Sequence, residues 1–390
     1  MNKKVLIVFA GLKLDVDEGA KHRLICHINE YVLRGNDVTV LAFCRSGFLK
    51  KNRRKYTSQN AKWILMPYIL PKSKHILLSR ILDIYLGFVL TCITWLQKYD
   101  IIQMEVQNIK TKACRKAMYI TDIHGDAAYE ELESNNRSKD YWFVKYLFDI
   151  QKRIALNSNH CIVVSQNLKE QIEKNTNTQI ENYSIISCGV DFERFANAEK
   201  QSLPVDLSNK IVIGYSGGLQ SWQNFDKMID LIVMLRKSVP NIFFLVYTNN
   251  SPKPYKERLE KLGEENYCIK ALTPSEIPGY LKLFDAGLLL RDNKILNNVS
   301  SPTKICEYLA AGVPLICTQY SGDYSRSITD RYNGFIVKDT IISDEEYFEL
   351  SQWIKNIHAK RSEIAKVCQE AAAKRTFSEE FDKFYKNINL

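Results

Sequence analysis

The segment SPTKICEYLAAGVPLICT, Ser301–Thr318, joins a short helix to a strand and points to the fold class of the chain. Ser301 and Pro302 suit the cap and first turn of a helix, and Gly312 suits its end. The apolar run that follows Pro314 has the composition of a buried strand. A helix that leads through a glycine turn into a buried strand is typical of α/β folds with parallel sheets.

The same alternation of apolar strands and helices continues through both halves of the 390-residue chain. Runs that are apolar on both faces indicate parallel sheets covered by helices on each side. A polar segment, Cys188–Lys210, separates the halves, so we predict two doubly wound, Rossmann-like α/β domains, residues 1–192 and 193–375, facing a central cleft. The predicted strands are VLIVFAG, DVTVLAF, DIIQMEV, KAMYITDIHG and HCIVVS in the first domain and KIVIGYSGG, NIFFLVYTN, LLLRD and PLICT in the second.

Composition indicates an ordinary globular protein, with 45% hydrophobic and 25% charged residues. The formal charge of +10 favours an anionic partner such as a nucleotide phosphate or a membrane surface. No basic-aromatic motif typical of nucleic-acid binding supports a nucleic-acid partner. The ten cysteines form no C-x-x-C pair and the six histidines lack metal-ligand spacing, so we predict a cytoplasmic location and no metal site.

Two apolar segments bear on contact with membranes. The first, MNKKVLIVFAGL, is followed by three acidic residues and predicts a buried strand rather than a signal peptide. The second, His75–Leu96, is interrupted by Arg80 and Asp83, which favours a buried or membrane-touching helix over a membrane span. The basic run KKNRRK, Lys50–Lys55, is interpreted either as a solvated loop or as a contact with anionic lipid at the inner face of a membrane.

Glu307 is the most informative charged residue. At helical spacing, Ile305 and Leu309 share the face that packs on the sheet, whereas Thr303 and Glu307 lie on the other side. The free amides at the start of this helix attract phosphate, and a carboxylate one turn further along is placed to accept hydrogen bonds from ribose hydroxyls. The alternative is an exposed glutamate on a surface helix.

Other candidate donor-binding residues follow strands in the second half. Gly217 and Gly218 end a strand, where glycines let a backbone approach a phosphate closely, although no G-x-G-x-x-G pattern is present. Arg291 follows another strand and, beside Lys304, is suited to hold a diphosphate. The alternative for Arg291 is an ordinary surface salt bridge.

In the first half, the strand YITDI ends at His124, with Asp126 close behind it. A histidine at the carboxyl end of a strand that faces a cleft is a candidate for orienting a reacting group. The alternative is a histidine satisfied within the core. We predict an acceptor site that includes His124 and Asp126.

Taken in order, several motifs resemble the retaining glycosyltransferases of the GT-B fold in family four. They are EGAKHRLICHINEYVLRGNDVTVLAF, DIHG, CIVVSQNLKEQI, IISCGVDFERF, IGYSGGLQSWQNFDKMI and SPTKICEYLAAGVPLICT. The resemblance covers nearly the whole chain. It implies that a sugar moves from a nucleotide-sugar, bound by the second domain, to an acceptor bound by the first, with retention and without a metal or other cofactor.

The resemblance also assigns roles to residues. Glu307 would bind the ribose, and the amides of Ser301–Lys304, which include Thr303, would hold phosphate. Gly19 would approach the donor phosphates from the first domain, and His124 would contact the transferred sugar. Residues 376–390 would form a helix that crosses back to the first domain.

Two positions depart from the family pattern. Val299 stands where many members carry a second glutamate, and Gln223 stands where a lysine commonly neutralises the leaving diphosphate. Either Arg291 or Lys304 would then supply the missing charge, and we expect Arg291 first. No carboxylate is clearly placed as a nucleophile, so the expected route is front-face displacement.

The predicted function is transfer of a sugar to a saccharide or lipid-linked saccharide in surface polysaccharide synthesis. Two alternatives use the same fold: a catalytically inactive nucleotide-sugar-binding protein, favoured by the two departures above, and a nucleotide-sugar epimerase. An epimerase would convert the donor without any acceptor.

Overall fold

The computed structural model describes residues 2–10, 14, 19–52, 60–69, 76–105, 116–322 and 327–388, with backbone only at residues 19, 51 and 52. The chain divides into two compact units. The first unit comprises residues 1–186 and 380–390, and the second comprises residues 187–379. Two parallel sheets with flanking helices confirm the predicted α/β class.

The first unit contains a seven-stranded sheet in the order β3-β2-β1-β4-β5-β6-β7, with all described neighbours parallel. Its strands are β1 Lys4–Ala10, β2 Asp37–Cys44, β3 Lys62–Pro67, β4 Ile101–Glu105, β5 Met118–Ile123, β6 His160–Val163 and β7 Tyr183–Ile185. Its helices are α1 Gly19–Leu33, α2 Ser46–Asn52, α3 Ile76–Leu96, α4 Ala127–Tyr129, α5 Trp142–Asn157 and α6 Gln166–Thr176, with a π-helical turn at Glu130–Ser134.

The second unit contains a six-stranded parallel sheet in the order β10-β9-β8-β11-β12-β13. Its strands are β8 Ile211–Ser216, β9 Ile242–Tyr247, β10 Tyr267–Lys270, β11 Ala286–Leu289, β12 Leu315–Thr318 and β13 Gly334–Val337. The helices that follow α6 along the chain are α7 Phe192–Ala196, α8 Phe225–Leu235, α9 Lys256–Glu260, α10 Ile277–Leu281, α11 Ile295–Asn298, α12 Thr303–Ala310, α13 Asp344–Ile357, α14 Arg361–Ala373 and α15 Phe377–Asn387.

The central strands are apolar on both faces because each face is covered. Strands β8 and β9 are buried at every position. Strand β1, at the start of the chain, is buried from Val5 onward, as the interpretation of MNKKVLIVFAGL predicts. Burial on both sides explains why these strands are continuous apolar runs rather than alternating ones.

The last helix, α15, begins in the second unit and ends in the first. Phe381 packs edge-to-face on Tyr31 of α1, with ring centroids 5.0 Å apart. Asp382 pairs with Arg34, also on α1. The part of the chain from residue 380 is therefore anchored to α1 by an aromatic contact and an ion pair.

The start of α12 differs from the sequence prediction in one detail. The helix begins at Thr303 and Pro302 occupies the cap position without a side-chain hydrogen bond. Ser301, predicted as the cap, instead accepts a 2.9 Å hydrogen bond on its Oγ from the backbone amide of Cys188. The predicted end of the helix is confirmed, because α12 ends at Ala310 and Gly312 follows with φ +76°, a conformation that favours glycine.

The apolar segment that begins at His75 forms α3 from residue 76; His75 itself lies outside the described residues. Within the described chain, α3 is the one helix long and apolar enough to cross a membrane by length and composition. Leu82, Leu86 and Leu90 are nevertheless fully buried in the core of the first unit. For the basic run Lys50–Lys55, residues 53–55 lie outside the described part of the chain.

Candidate functional site

A glycine turn at the carboxyl end of β8 forms the floor of the candidate site in the second unit. Gly217 has φ +149° and its amide donates to the carbonyl of Tyr247. A Cβ atom at Gly217 would lie 2.2 Å from Cε of Lys304. The Tyr215 hydroxyl donates to the carbonyl of Gly218 over 2.5 Å. Glycine at position 217 therefore leaves the space that the end of the Lys304 side chain occupies.

Lys304, in the first turn of α12, reaches back to the loop after β8. Its Nζ donates to Oε1 of the buried Gln223 over 3.3 Å. The same Oε1 lies 3.2 Å from the Tyr215 hydroxyl, which was not predicted as a site residue. Burial, and then repulsion from Arg291, lowers the pKa of Lys304 to about 8. The hydrogen-bond partner of the lysine is thus uncharged, and attraction to Glu307 opposes the lowering of its pKa only in part.

Arg291, two residues after β11, supplies a second cation nearby. Its side chain is buried, and its Nη1 donates to the carbonyl of Trp222 over 2.7 Å. Its Nε is buried and has no hydrogen-bond partner among the described residues. Burial lowers the pKa of this guanidinium. A buried guanidinium with an unsatisfied donor is the arrangement expected where an anion is to be bound.

Glu307 lies one helical turn after Lys304 and is half-buried, as is Thr303. Ile305 and Leu309 are fully buried, so the predicted division of α12 into two faces is correct. Burial raises the pKa of Glu307, while Lys304 and Arg194 act in the opposite direction. The carboxylate therefore stands beside the cation pair rather than in the core.

The structure brings most of the predicted donor-binding residues together at the carboxyl edge of the second sheet. Among described residues, no carboxylate forms an ion pair with Arg291 or Lys304. Two neighbouring cations that the single carboxylate of Glu307 offsets only in part, next to a helix start and a glycine turn, are suited to bind an anion. Its members are Gly217, Gly218, Gln223, Arg291, Thr303, Lys304 and Glu307.

In the first unit, His124 directly follows β5 and is about one-fifth exposed. Its Nδ1 lies 3.8 Å from Oδ2 of Asp122. Asp122 is fully buried and accepts two 2.6 Å hydrogen bonds from the guanidinium of Arg23, while His27 Nε2 lies 3.3 Å away. Burial opposes ionisation of Asp122, but Arg23 and His27 outweigh it and lower its pKa well below the ordinary value. Asp122 therefore stands beside His124 as a buried carboxylate that Arg23 neutralises.

Glu105, at the end of β4, completes this buried cluster. Its Oε1 accepts a 3.0 Å hydrogen bond from Gln103 Nε2. Burial, and then the charge of Asp122, raises the pKa of Glu105 well above its ordinary value. Ligand atoms of His27, Glu105 and Asp122 lie within 4.8 Å of one another, close enough for a metal ion. Because Arg23 already binds both oxygens of Asp122, the cluster is better suited to hold a proton on Glu105 than a cation.

Asp126 has a different place from the one predicted. It is fully buried and caps α4, accepting 3.1 Å hydrogen bonds from the amides of Ala128 and Tyr129. It also accepts from the side chains of Gln151 and Asn175. Four donors occupy the carboxylate, so Asp126 supports the loop that carries His124 and is not available to an acceptor.

Gly19 is the first residue of α1, so the structure places it at a helix start. Residues 15–18, which precede it, lie outside the described part of the chain. The prediction that Gly19 approaches the donor phosphates stays a prediction.

Two family models match consecutive parts of the chain. The model "Glycosyltransferase Family 4" matches residues 19–194, and "Glycosyl transferases group 1" matches residues 197–375. With the two parallel sheets described above, these matches define the class: the chain belongs to the GT-B glycosyltransferases of group 1.

The individual proteins to which the chain is similar share only a low sequence identity with it. The chain is 25% identical over 177 residues to TuaH of Bacillus subtilis (strain 168), named as a teichuronic acid biosynthesis glycosyltransferase, with 45% of this chain and 44% of that protein covered. The chain spans about half the length of the curated relatives it matches. Its fold is similar to that of WaaG, a glycosyltransferase involved in lipopolysaccharide biosynthesis, with a TM-score of 0.68, 12% identity, and 97% and 98% of the two chains covered. Anabaena HepE in complex with UDP and glucose gives a TM-score of 0.67 at 16% identity, with both chains fully covered.

Proposed function

We propose that the protein transfers a sugar, with retention, from a nucleoside diphosphate sugar to a saccharide or lipid-linked saccharide. The observation that carries the proposal is the pair of cations, Arg291 and Lys304, beside the glycine turn, where no carboxylate of the described residues lies within ion-pair distance of either. Glu307 offsets part of this positive charge, and a diphosphate supplies the negative charge that remains unmatched. The complex of HepE with UDP and glucose supports a nucleotide-sugar as the source of that diphosphate.

Within this proposal each residue has a chemical task. Lys304 and Arg291 neutralise the charge that develops on the leaving diphosphate, and the amides of Thr303 and Lys304 add hydrogen bonds. Glu307 accepts hydrogen bonds from the ribose hydroxyls. In a front-face displacement the sugar–phosphate bond breaks, the acceptor oxygen bonds the anomeric carbon on the same face, and the departing phosphate takes the acceptor proton. Since two side chains supply the positive charge, we propose that the reaction needs no metal.

The geometry changes the expected order of the two cations. From the sequence we expected Arg291 to replace the lysine absent at position 223. Lys304, however, donates directly to Gln223 and crosses Gly217, so its ammonium occupies the neighbourhood of that position. We therefore assign the missing charge first to Lys304, with Arg291 as the buried support beneath it.

The acceptor side of the proposal rests on the family resemblance and on His124. Its ring is partly exposed at the end of β5, with Nδ1 3.8 Å from the buried carboxylate of Asp122. The match to TuaH supports a role in the synthesis of a surface polysaccharide. We place the reaction in the cytoplasm, at the inner face of the membrane where lipid-linked acceptors would be met.

The experiment begins with a thermal-shift screen against UDP, GDP, ADP and their sugars. The nucleotide that stabilises the protein then identifies the donor for assays with acceptor extracts, with and without EDTA. We expect product formation that EDTA does not reduce, and a product whose anomeric configuration by NMR matches the donor. Loss of activity with EDTA would contradict metal independence, and inverted product would contradict retention.

Two outcomes would replace the proposal itself. Conversion of the donor to a stereoisomer without an acceptor would identify an epimerase. Tight nucleotide-sugar binding without transfer or slow hydrolysis, across acceptors from several sources, would identify a binding protein. Both outcomes are compatible with anion binding at Arg291 and Lys304 and change only the reaction that is assigned to the protein.

A further inference from the structure

The outer face of α3 carries an apolar stripe that the core does not use. Five large side chains spaced three, four or seven residues apart are exposed, and we call them the outer stripe: Leu77 (66% exposed), Ile81 (42%), Ile84 (72%), Phe88 (67%) and Trp95 (80%). The opposite face of the same helix, including Leu82, Leu86 and Leu90, is buried against the sheet. The helix is therefore apolar on both faces, although it lies at the surface.

This arrangement is unusual for a soluble surface. Single exposed apolar residues are common, but a continuous row along a helix about 30 Å long marks an interaction surface. The composition of α3 would suit a membrane span. Its inner face, however, forms part of the core of the first unit, so crossing a bilayer would require that core to come apart. The outer stripe is therefore suited to contact the surface of an apolar layer, and α3 is not suited to span a bilayer.

The charge of the protein is concentrated next to α3 in the sequence. The first unit has 30 Lys and Arg against 20 Asp and Glu, whereas the second has 24 of each, so the whole net charge of +10 belongs to the first unit. Residues 38–82, which lead into the first turns of α3, contain ten basic residues and no acidic one. The ten are Arg45, Lys50, Lys51, Arg53, Arg54, Lys55, Lys62, Lys72, Lys74 and Arg80.

Exposed cations also lie at both ends of the outer stripe. Arg80 is exposed in the first turns of α3 and Lys98 is exposed just after its end. Beside Arg80, a cavity of about 330 Å³ between α3 and α5 is lined by Lys145 and Arg153, and also by Asp83 and Asp149. Arg153 lies within ion-pair distance of both carboxylates, and Lys145 pairs with Asp140. Arg80 forms no ion pair with any described residue, so its charge is free for an external anion.

We propose that the outer stripe of α3 docks into the interfacial layer of an anionic bilayer leaflet, with the exposed cations Arg80 and Lys98 at the lipid headgroups. Burial of apolar side chains and attraction to acidic lipid are the two contributions that hold an interfacial helix. The anionic leaflet is preferred over a second copy of the chain because a copy would bring the same positive charge to the contact. This docking does not depend on the reaction proposed above.

The test is co-sedimentation of the full-length protein with vesicles of phosphatidylcholine alone or enriched in phosphatidylglycerol. We expect binding to the anionic vesicles that falls about tenfold or more when salt rises from about 0.05 to about 0.5 M. The triple variant Ile84→Ser/Phe88→Ser/Trp95→Ser should lose about tenfold or more of this binding, since it removes three of the five apolar anchors. Brominated lipid should quench the fluorescence of Trp95 if this side chain inserts into the bilayer. The contribution of Trp95 is the difference in quenching between the wild type and Trp95→Phe.

The matched control is Ile341→Ser/Phe348→Ser, which removes two equally exposed apolar residues from the second unit. It should bind vesicles like the wild type. Wild-type binding by the triple variant, or equal binding to both vesicle types at about 0.05 M salt, would overturn the proposal. So would a dimer in sedimentation velocity that the triple variant abolishes, because the stripe would then be a contact between copies. Transfer to a soluble acceptor should be the same in the triple variant and the wild type, which separates this test from that of the reaction.

Discussion

The ammonium group of Lys304 lies 3.3 Å from Oε1 of Gln223, a residue 81 positions earlier in the chain. The contact joins the first turn of α12 to the loop after β8, at the carboxyl edge of one sheet. Gln223 offers an acceptor but no charge. Lys304 therefore stands at the glycine turn as a cation whose hydrogen bond does not neutralise it and whose charge Glu307 offsets only in part.

Neutralising Lys304 should weaken donor binding and slightly stabilise the free protein. Because burial and Arg291 lower the pKa of Lys304 to about 8, its charge costs folding free energy at neutral pH. We expect Lys304→Met to raise Tm and to weaken nucleoside diphosphate affinity by about 10- to 100-fold, the value of a charge-assisted hydrogen bond. Calorimetry and thermal unfolding measure the two effects.

Lys227→Met is the control for this change. Lys227 is also half-buried in the second unit, but it pairs with Asp292 over 2.6 Å. Its loss should lower Tm and leave the nucleotide affinity unchanged. A fall in Tm for Lys304→Met, with unchanged affinity, would show that Lys304 is structural.

The same pKa predicts how donor affinity depends on pH. Lys304 is protonated below about pH 8, so the affinity for a nucleoside diphosphate should fall as pH rises through that value. The terminal phosphate, with a second pKa of about 6, is already ionised in this range. Lys304→Arg keeps its charge and should bind with constant affinity from about pH 7 to about pH 9. A fall in both proteins would assign the titration to another group.

The sequence predicted the centres of both sheets but not their edges. Nine strands were predicted, and the four that were missed are β3, β7, β10 and β13, which are the outermost strands of the two sheets. Every residue of β3 and β10 is at least partly exposed. An edge strand pairs on one side only, and the apolar runs of the missed strands are short: WILM in β3, FIV in β13 and CI in β10. Its signal therefore resembles that of a loop.

In the candidate site, too, some features were predicted from the sequence and others were not. Glu307, Arg291 and Lys304 were predicted from the types of residue around one strand end and one helix start, and the structure brings them together. The capping role of Asp126 was not predicted, because its partners Gln151 and Asn175 come from α5 and α6. Long-range contacts of this kind leave no local pattern in the sequence.

Gly217→Ala tests whether glycine at position 217 is needed to keep Lys304 in position for nucleotide binding. The new Cβ would lie 2.2 Å from Lys304 Cε, and φ +149° is unfavourable for alanine. We expect a loss of about 1 kcal/mol or more in the free energy of unfolding and at least about a tenfold loss of nucleotide affinity as Lys304 is displaced. Gly47→Ala, at an exposed position of α2 where nothing lies within 4 Å of the added Cβ, should leave nucleotide affinity unchanged and should not lower the free energy of unfolding. Unchanged nucleotide affinity in Gly217→Ala would show that the position of Lys304 is unimportant for binding.

Glu307→Ala tests the assignment of the ribose. The wild type should bind a ribonucleoside diphosphate more tightly than its 2′- and 3′-deoxy analogues, because a deoxy analogue leaves a carboxylate lone pair unmatched. The variant should bind all three with similar, weaker affinity. Since Glu307 is only half-buried, Tm should change little. Discrimination that persists in the variant would place the ribose elsewhere.

Glu105→Gln tests whether the buried cluster of the first unit holds a proton. Burial and Asp122 raise the pKa of Glu105 well above its ordinary value, so the folded protein binds a proton that the unfolded chain releases above about pH 4.5. The free energy of unfolding of the wild type should therefore fall as pH rises from about 5, by at most about 1.4 kcal/mol per pH unit, until the folded-state pKa is reached. Glutamine has nearly the shape of the protonated acid and removes only this contribution.

Urea unfolding of Glu105→Gln and the wild type from about pH 5 to about pH 8 should show the variant gaining stability relative to the wild type. Parallel profiles would mean that Glu105 is ionised in the folded state, and would make His27, Glu105 and Asp122 a candidate cation site after all.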